Sequence, residues 1–398
     1  KDTLRLTLFS QEGEILWTRD LGAGVVPGIW FCPVFPFDLD GDGVDEIYLV
    51  GNPDADHPLG LSHYRLEQLD AATGQTVAHW PWPAVPSGQS NCHRFRNFIL
   101  GGTVGGQPVL VTAQGTYGRM SLQGDGPGMA PLWEYEVPAG ALGARGSHMT
   151  PVVDLDGDGD DEVLWGERAI SLASGEELFC ADRDTWSGHS DVIAPLLVEG
   201  QWLFHTTRES GDGFPRVAVY DRTGERVWGD VETGHMDMGW AARLGPAGEP
   251  RVMAIRIESK TAGPDGFFRR SVEEFVYDAA TGQPVKLPLS VFCTLPVDLD
   301  GDGIHELVRG LAEGDRAVLD RRGRVLDNVA GQVAAASKLL DRHGEQIVAW
   351  SPDGTIRVWG DSNAADRPRA LARYAHPYYA GNQRLTATGY NLVNLGGL

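Results

Sequence analysis

Positive charge is what this 398-residue chain has least of: 33 Lys and Arg stand against 55 Asp and Glu, a formal charge of -22. Nucleic acid and anionic membranes, which attract basic faces, are poor partners for such a surface. Cysteine is scarce too. Cys32, Cys92, Cys180 and Cys293 lie far apart without a CxxC pair, which argues against zinc; four buried thiols are expected, with three disulfide pairings formally open. No run of 18 apolar residues occurs, so no membrane-spanning helix is expected. Helical periodicity is nearly missing, and the one tempting stretch, Val333 to Leu340, reads better as a buried strand with its lead-in. There is no P-loop, no dinucleotide fingerprint and no Ser-His-Asp arrangement. No linker or low-complexity segment divides the chain, so residues 1–398 read as one domain. Lys1 to Leu6 read as a strand and not as a signal peptide, while a secreted or periplasmic location is the expectation.

What the chain has in excess is glycine, 52 residues, with 24 prolines and 42% apolar residues: a large core reached by frequent turning. Part of that glycine belongs to a phrase written three times. Asp38-Leu-Asp-Gly-Asp-Gly-Val-Asp-Glu46, Asp154-Leu-Asp-Gly-Asp-Gly-Asp-Asp-Glu162 and Asp298-Leu-Asp-Gly-Asp-Gly-Ile-His-Glu306 put carboxylates at loop positions 1, 3, 5 and 9 and glycines at 4 and 6. Hard oxygens converging through a glycine-permitted turn describe a calcium cage. The metal ligands expected are Asp38, Asp40, Asp42 and Glu46; Asp154, Asp156, Asp158 and Glu162; and Asp298, Asp300, Asp302 and Glu306. A bidentate Glu at position 12 and flanking helices are missing, so these are not EF-hands. Each loop is followed by a strand-like run, and a stapling role for the metal is the plainer reading for most of them.

A fainter repeat is a polar Gly turn followed by a short apolar strand that often carries Trp. Its glycines fall near 13, 74, 126, 175, 224, 282, 323 and 354, mostly about 50 residues apart. Four short strands fill such a period, which makes the expected fold all-β, a β-propeller of eight blades, with seven kept open by the short final steps.

Longer segments carry a family resemblance. Arg145-Gly-Ser-His148 before the second acidic loop resembles a Gly-Asn-His segment of polysaccharide lyase family eleven, the rhamnogalacturonan lyases, and Ser187-Gly-His-Ser-Asp191 resembles its Gly-His-Gly-Asp. Gln114-Gly-Thr-Tyr-Gly-Arg119 resembles its Arg-Gly-Tyr-Tyr-x-Arg, the stretch Glu232 to Ala242 its Gly-Arg-Gly-Met-Ala-Ala, and Ala375 to Asn391 its closing blade. The acidic loops resemble calcium loops of the FG-GAP type. Departures fall where chemistry is expected: His235 replaces the family's Asp, Met238 an Arg, Arg243 an Asp, and Arg96-Asn97 stands for an Asp-Arg pair.

The resemblance implies β-elimination on an anionic poly- or oligosaccharide, by a protein expected to act as a monomer with Ca2+. Removing the proton α to a uronate carboxylate requires neutralisation of that carboxylate, a base and a proton donor. Asn91 to Asn97 offer His93 as base with Arg94 and Arg96 as carboxylate clamps; Tyr117 and Arg119 would be donor and clamp. His148, His189 and Asp191 are expected to gather at the mouth around a cation or the sugar. His235 and Asp237 copy the His-x-Asp spacing of His189 and Asp191, while His205, Arg208 and Glu209 lie between them on the same rim. Each has a blander alternative: strand-end polarity for His93, solvent-facing arginines at 94 and 96, a core tyrosine, blade-to-blade hydrogen bonds for the histidines. Other classes use the same scaffold. A rhamnose-glucuronate exo-lyase, a hydrolase using Asp184, Asp191, Glu209 or Asp237, and a non-catalytic adhesion or carbohydrate-binding propeller remain alternatives, and the His and Arg clustering favours an enzyme.

Overall fold

The structure is a computed structural model that describes residues 3–28, 30–54, 63–82, 96–263, 266–385 and 395–398. It is all-β. Among the described residues the strands form nine sheets, eight of them built from strands consecutive or nearly so along the chain. A hairpin, Arg5–Phe9 with Ile15–Asp20, comes first. Antiparallel meanders follow: Val34–Phe37 to Thr76–Pro81, Asn97–Val104 to Ala130–Val137, Val152–Val153 to Glu177–Cys180, and Trp186–Val198 to Arg226–Asp230. The last three run from His235–Arg243 to Glu273–Asp278, Leu295–Val297 to Val325–Asn328, and Gln332–Ser337 to Ile356–Trp359. The ninth sheet is the hairpin Ser259–Gly263 and Gly266–Arg270, an excursion from the meander His235–Arg243 to Glu273–Asp278.

Residue choice follows burial within each meander. The strand opening a meander is covered on both faces and reads as an apolar run, as in Phe98-Ile-Leu100 and Val192-Ile-Ala194, all at most 1% exposed. The outermost strands half face water and alternate, as Thr76–Pro81 does. The acidic loops all join the first strand of a meander to the second, which puts them at one end of the sheets.

The glycine-turn repeat has a physical cause that the sequence does not display. Trp133, on the outer strand of one meander, lies over the turn of the next and donates Nε1–H to Leu172 O at 2.7 Å. Gly175 in that turn has φ +73°, and a methyl there would stand 2.7 Å from the indole. Trp17 on Ala71 O (2.9 Å) and Trp228 on Ala279 O (2.8 Å) repeat the arrangement, so the aromatic of one unit latches the turn of its neighbour. Gly175→Ala combines left-handed backbone with that close approach. It is expected to cost about 1–3 kcal/mol, read as a lower urea midpoint at unchanged slope.

Val333 falls in the strand Gln332–Ser337, as its apolar run suggests. The closing segment corrects the sequence reading: Pro368–Tyr374 and Pro377–Gln383 are helices, not strands of a last blade. Both place proline in the first turn, where its missing N–H costs nothing, and the His376 side chain caps the second by accepting from Tyr378 N–H. Asn382 Nδ2 donates to Val152 O at 2.6 Å, tying these helices to the strand before the second acidic loop. No helix among the described residues is long and apolar enough to cross a membrane. Cys32 and Cys293 are buried free thiols; Cys180 is also free but only half-buried, short of the expected full burial, and Cys92 lies outside the described residues.

Candidate functional site

At the end of the sheets opposite the acidic loops, polar side chains from several meanders converge. His148, His189, Asp191 and Glu209 each bring a ligand-type atom within 4.8 Å of the others, and Asp191, His235 and Asp237 do the same. Strand pairing builds this. Ala144–Ser147 lies parallel to the start of Trp186–Val198, which brings His148 beside Asp191, with His148 Nε2 and Asp191 Oδ1 3.1 Å apart. The pairing of Trp186–Val198 with Gln201–Gly213 shifts register at His189, Ser190 and Val192, and Glu209 is thereby turned to the same side. The next meander opens with His235, whose Nε2 lies 3.7 Å from Glu209 Oε1 and 3.4 Å from Asp237 Oδ1.

Hydrogen-bond partners decide which nitrogens carry protons. Thr116 donates its hydroxyl to Arg145 O at 3.0 Å and therefore accepts from His189 Nδ1–H at 2.8 Å. That leaves the His189 Nε2 lone pair facing Glu209, 3.8 Å away. His148 is the reverse case. Arg96 Nη1, a donor only, meets His148 Nδ1 at 2.6 Å, so the imidazole proton sits on Nε2 and faces Asp191. Burial first, then His189 and Arg96, hold His148 far below the usual histidine range, so its ring stays neutral. Tyr117, at φ +60° in its turn, lies against the His189 ring in a tilted contact, centroids 4.4 Å apart, and donates to Glu209 Oε2. Burial, then the Glu209 charge, pushes its phenol well up, so it stays protonated.

Four residues that sequence reasoning did not single out complete the cluster. The Arg96 guanidinium lies over Trp30 at 3.5 Å, and Trp30 stacks on His148. Lys260 and Arg269, from the excursion hairpin, both pair with Asp237, and Arg269 also reaches Glu313 at 3.0 Å. Burial, opposed by His235, Arg269 and Lys260, leaves Asp237 below the usual carboxylate range. No short motif marks the excursion; its place over the site follows from the meander it leaves.

Several roles expected from the sequence are corrected by the placement of the side chains. His205 is fully buried, its ring nitrogens 3.3 and 3.0 Å from Ala218 O and Met253 O, and burial lowers it to about 4. Arg208 is equally buried under Trp186 and pairs with Glu167 at 2.9 Å and Asp182 at 3.1 Å. Both belong to the packing behind the site: they lie on opposite faces of Gln201–Gly213, His205 turned to Met253 of the next meander and Arg208, with Thr206, to Glu167, while Glu209 sits in the register shift and reaches the cluster. Arg119 is bound by Glu136 at the exposed edge of its own sheet instead of clamping at the site. Asp184 is exposed and does not join the carboxylate group. His93 and Arg94 lie outside the described residues.

The residues fit a divalent cation in two settings. In the cluster, the His189 Nε2 lone pair, Asp191 and Glu209 supply an imidazole and two carboxylates, whereas Arg96 holds His148 as a donor and not a ligand. In the acidic loops, Asp38, Asp40 and Asp42 converge, as do Asp154, Asp156 and Glu162, and Asp298, Asp300 and Asp302. Asp298 Oδ1 is buried without a hydrogen-bond partner, which suits a cation ligand. Its other oxygen accepts from Arg373 at 2.6 Å, an internal cation special to the third loop. Burial first, then the neighbouring carboxylates, pushes Glu162 and Glu306 up to about 8.

No protein-family model matches the chain. The rhamnogalacturonan exolyase YesX of Bacillus subtilis is 25% identical over 69% of this chain and 54% of that protein. The endolyase YesW of the same organism is 24% identical over 60% of this chain and 43% of its own length. The chain thus spans about half the length of the curated relatives it matches. Among solved structures, exotype rhamnogalacturonan lyase YesX superposes with a TM-score of 0.80 at 20% identity, over 98% of this chain and 70% of that one. The rhamnogalacturonan lyase of Bacillus licheniformis gives 0.80 at 19%, over 99% and 71%. In sequence and in fold, this chain is rhamnogalacturonan lyase-like.

Proposed function

We propose that this protein cleaves a rhamnose- and uronate-containing polysaccharide of the rhamnogalacturonan type by β-elimination, on an eight-bladed β-propeller that binds calcium. The successive meanders are its blades, the acidic loops hold structural calcium, and the polar cluster is the active site at the axis. The observation that carries the reading is the convergence of two His-x-Asp pairs, Tyr117 and two cationic side chains at one end of the sheets.

The roles follow from exposure and proton placement. Lys260 and Arg269 reach the partly open rim and hold the uronate carboxylate, exchanging it for part of their pairing with Asp237. His235 is the exposed imidazole of the cluster, its side chain 34% accessible. Glu209 and Asp237 both face its Nε2 and keep a proton there, so Nδ1 is the basic nitrogen that takes the C5 proton. As the C4–O bond breaks and the C4=C5 double bond forms, Tyr117 donates its phenolic proton to the departing oxygen. A divalent cation on His189, Asp191 and Glu209 would add charge neutralisation at the uronate and acidify that proton. Arg96, Trp30 and Thr116 keep the two buried histidines in orientation.

The test is absorbance of unsaturated uronate while the protein, with calcium, is offered rhamnogalacturonan, rhamnose-glucuronate-capped gum and ulvan in turn. A rise with rhamnogalacturonan is expected. Reducing sugar without that absorbance would replace elimination by hydrolysis, for which Asp191, Glu209 and Asp237 are grouped; no product from any polymer would leave a binding module.

A further inference from the structure

Far from the cluster, a groove of about 390 Å³ opens between the fifth and sixth meanders, where the turn after His235–Arg243 meets the segment after Glu273–Asp278 and the turn at Asp320 to Gly323. Its charged lining is entirely cationic: Arg251, Lys286, Arg321 and Arg322, over apolar surface from Leu244 and Leu287. On a chain of charge -22 such a gathering needs a reason. Among the described residues only Arg251 has a carboxylate partner, Asp278. Arg321 turns to backbone oxygens, donating to Gly245 O and Pro246 O at 3.4 and 3.1 Å. Arg243 and Arg369 do likewise on Gly248 O and Ala247 O, at 3.1 and 2.9 Å. Guanidinium groups thus crowd one turn, and the acids beside it are engaged: Asp278 by Arg251, Glu249 by the N–H of Ala247 and Asp320 by Arg324.

We infer that this groove is a second glycan site, which holds the uronate carboxylates of the polymer by charge and its sugar faces on Leu244 and Leu287. The inference rests on the substrate class proposed above, though not on the reaction. A volume within the range of about 300–1,000 Å³ usual for small-ligand sites, with exposed cations at its rim, suits one or two anionic sugar units. The strand His235–Arg243 leads from the cluster to the groove, a span of ~30 Å at about 3.3 Å per residue. A long chain can therefore engage both places at once, while a short oligosaccharide fills one, and only the long chain gains from the second contact.

The test uses the double variant Lys286→Gln, Arg322→Gln, which leaves the turn-holding Arg321 intact. Affinity electrophoresis through rhamnogalacturonan at low salt should show binding about tenfold weaker, while turnover of a short oligosaccharide stays unchanged. A control pair with the same charge change elsewhere, Arg5→Gln with Arg357→Gln, and the charge-keeping pair Lys286→Arg, Arg322→Lys should both retain wild-type polymer affinity. Unchanged affinity in the Gln pair overturns the site, as does equal loss in either control. Failure of the lyase reading is separate: a wild type that yields no unsaturated product but binds polymer, and loses that binding with the Gln pair, keeps the groove and discards the reaction.

Discussion

Replacing His235 by alanine is expected to slow release of unsaturated uronide about 10²- to 10⁴-fold, the usual contribution of a positioned general base. The loss should fall on kcat, with polymer affinity retained, because Lys260 and Arg269 still meet the carboxylate. Its side chain is 34% accessible against 0% for His189, so the fold should lose less from this change than from removal of His189. His189→Ala, by contrast, empties a buried position against Tyr117 and His148 and should cost both activity and stability. Full lyase activity in His235→Ala, with product confirmed by absorbance, would remove His235 from the chemistry and return the base to His189 or to His93.

Calcium removal should lower the melting temperature by on the order of 10 °C at pH 8. Each site held at a hundred times its Kd contributes about 2.7 kcal/mol, and three together act against an unfolding entropy of about 2.1 cal/mol/K per residue. The effect depends on pH, and its sign follows from linkage. Without metal, Glu162 and Glu306 keep their protons to about 8 in the folded state, against about 4.3 in an unfolded chain. The folded form then binds more protons, so the stability from protonation is complete below the unfolded value and is lost as pH rises through about 8. Calcium should raise the melting temperature little near pH 5 and most above pH 8. Arg373 already offsets charge in the third loop, so Asp154→Asn should blunt the calcium response more than Asp298→Asn. Calorimetry with chelator or calcium at both pH values checks this; identical curves at pH 8 would sink the calcium reading of the loops.

Local motifs told most where the chemistry is local. The acidic loops could be read from one nine-residue phrase because every carboxylate comes from that short stretch and the turn is set by its own glycines. The His-x-Asp pairs were visible for the same reason, since alternate residues of a strand share a face. His205 and Arg208 misled because both faces of Gln201–Gly213 are covered, His205 by the next meander at Met253 and Arg208 by Glu167, and the register shift at Glu209 is what turns that side chain to the site. Trp30, Lys260, Arg269 and Glu313 gave no local sign at all. Trp30 comes from the connection before Val34–Phe37, Lys260 and Arg269 from one excursion hairpin, and Glu313 from the loop between Glu306–Val308 and Ala317–Leu319, none of which carries a periodicity.

The sequence by itself determined the all-β class and the glycine turns, from a repeat of about 50 residues, and the three carboxylate loops and the His-x-Asp pairs, from spacing within nine residues or fewer. Only the tertiary structure decided that Arg96 holds His148 as a donor, that Lys260 and Arg269 cover Asp237, that Arg208 is interior, and that four cations share a groove at the far end. Those depend on which strands lie side by side, and contacts between residues twenty or more positions apart are set by packing of whole meanders and not by any local pattern.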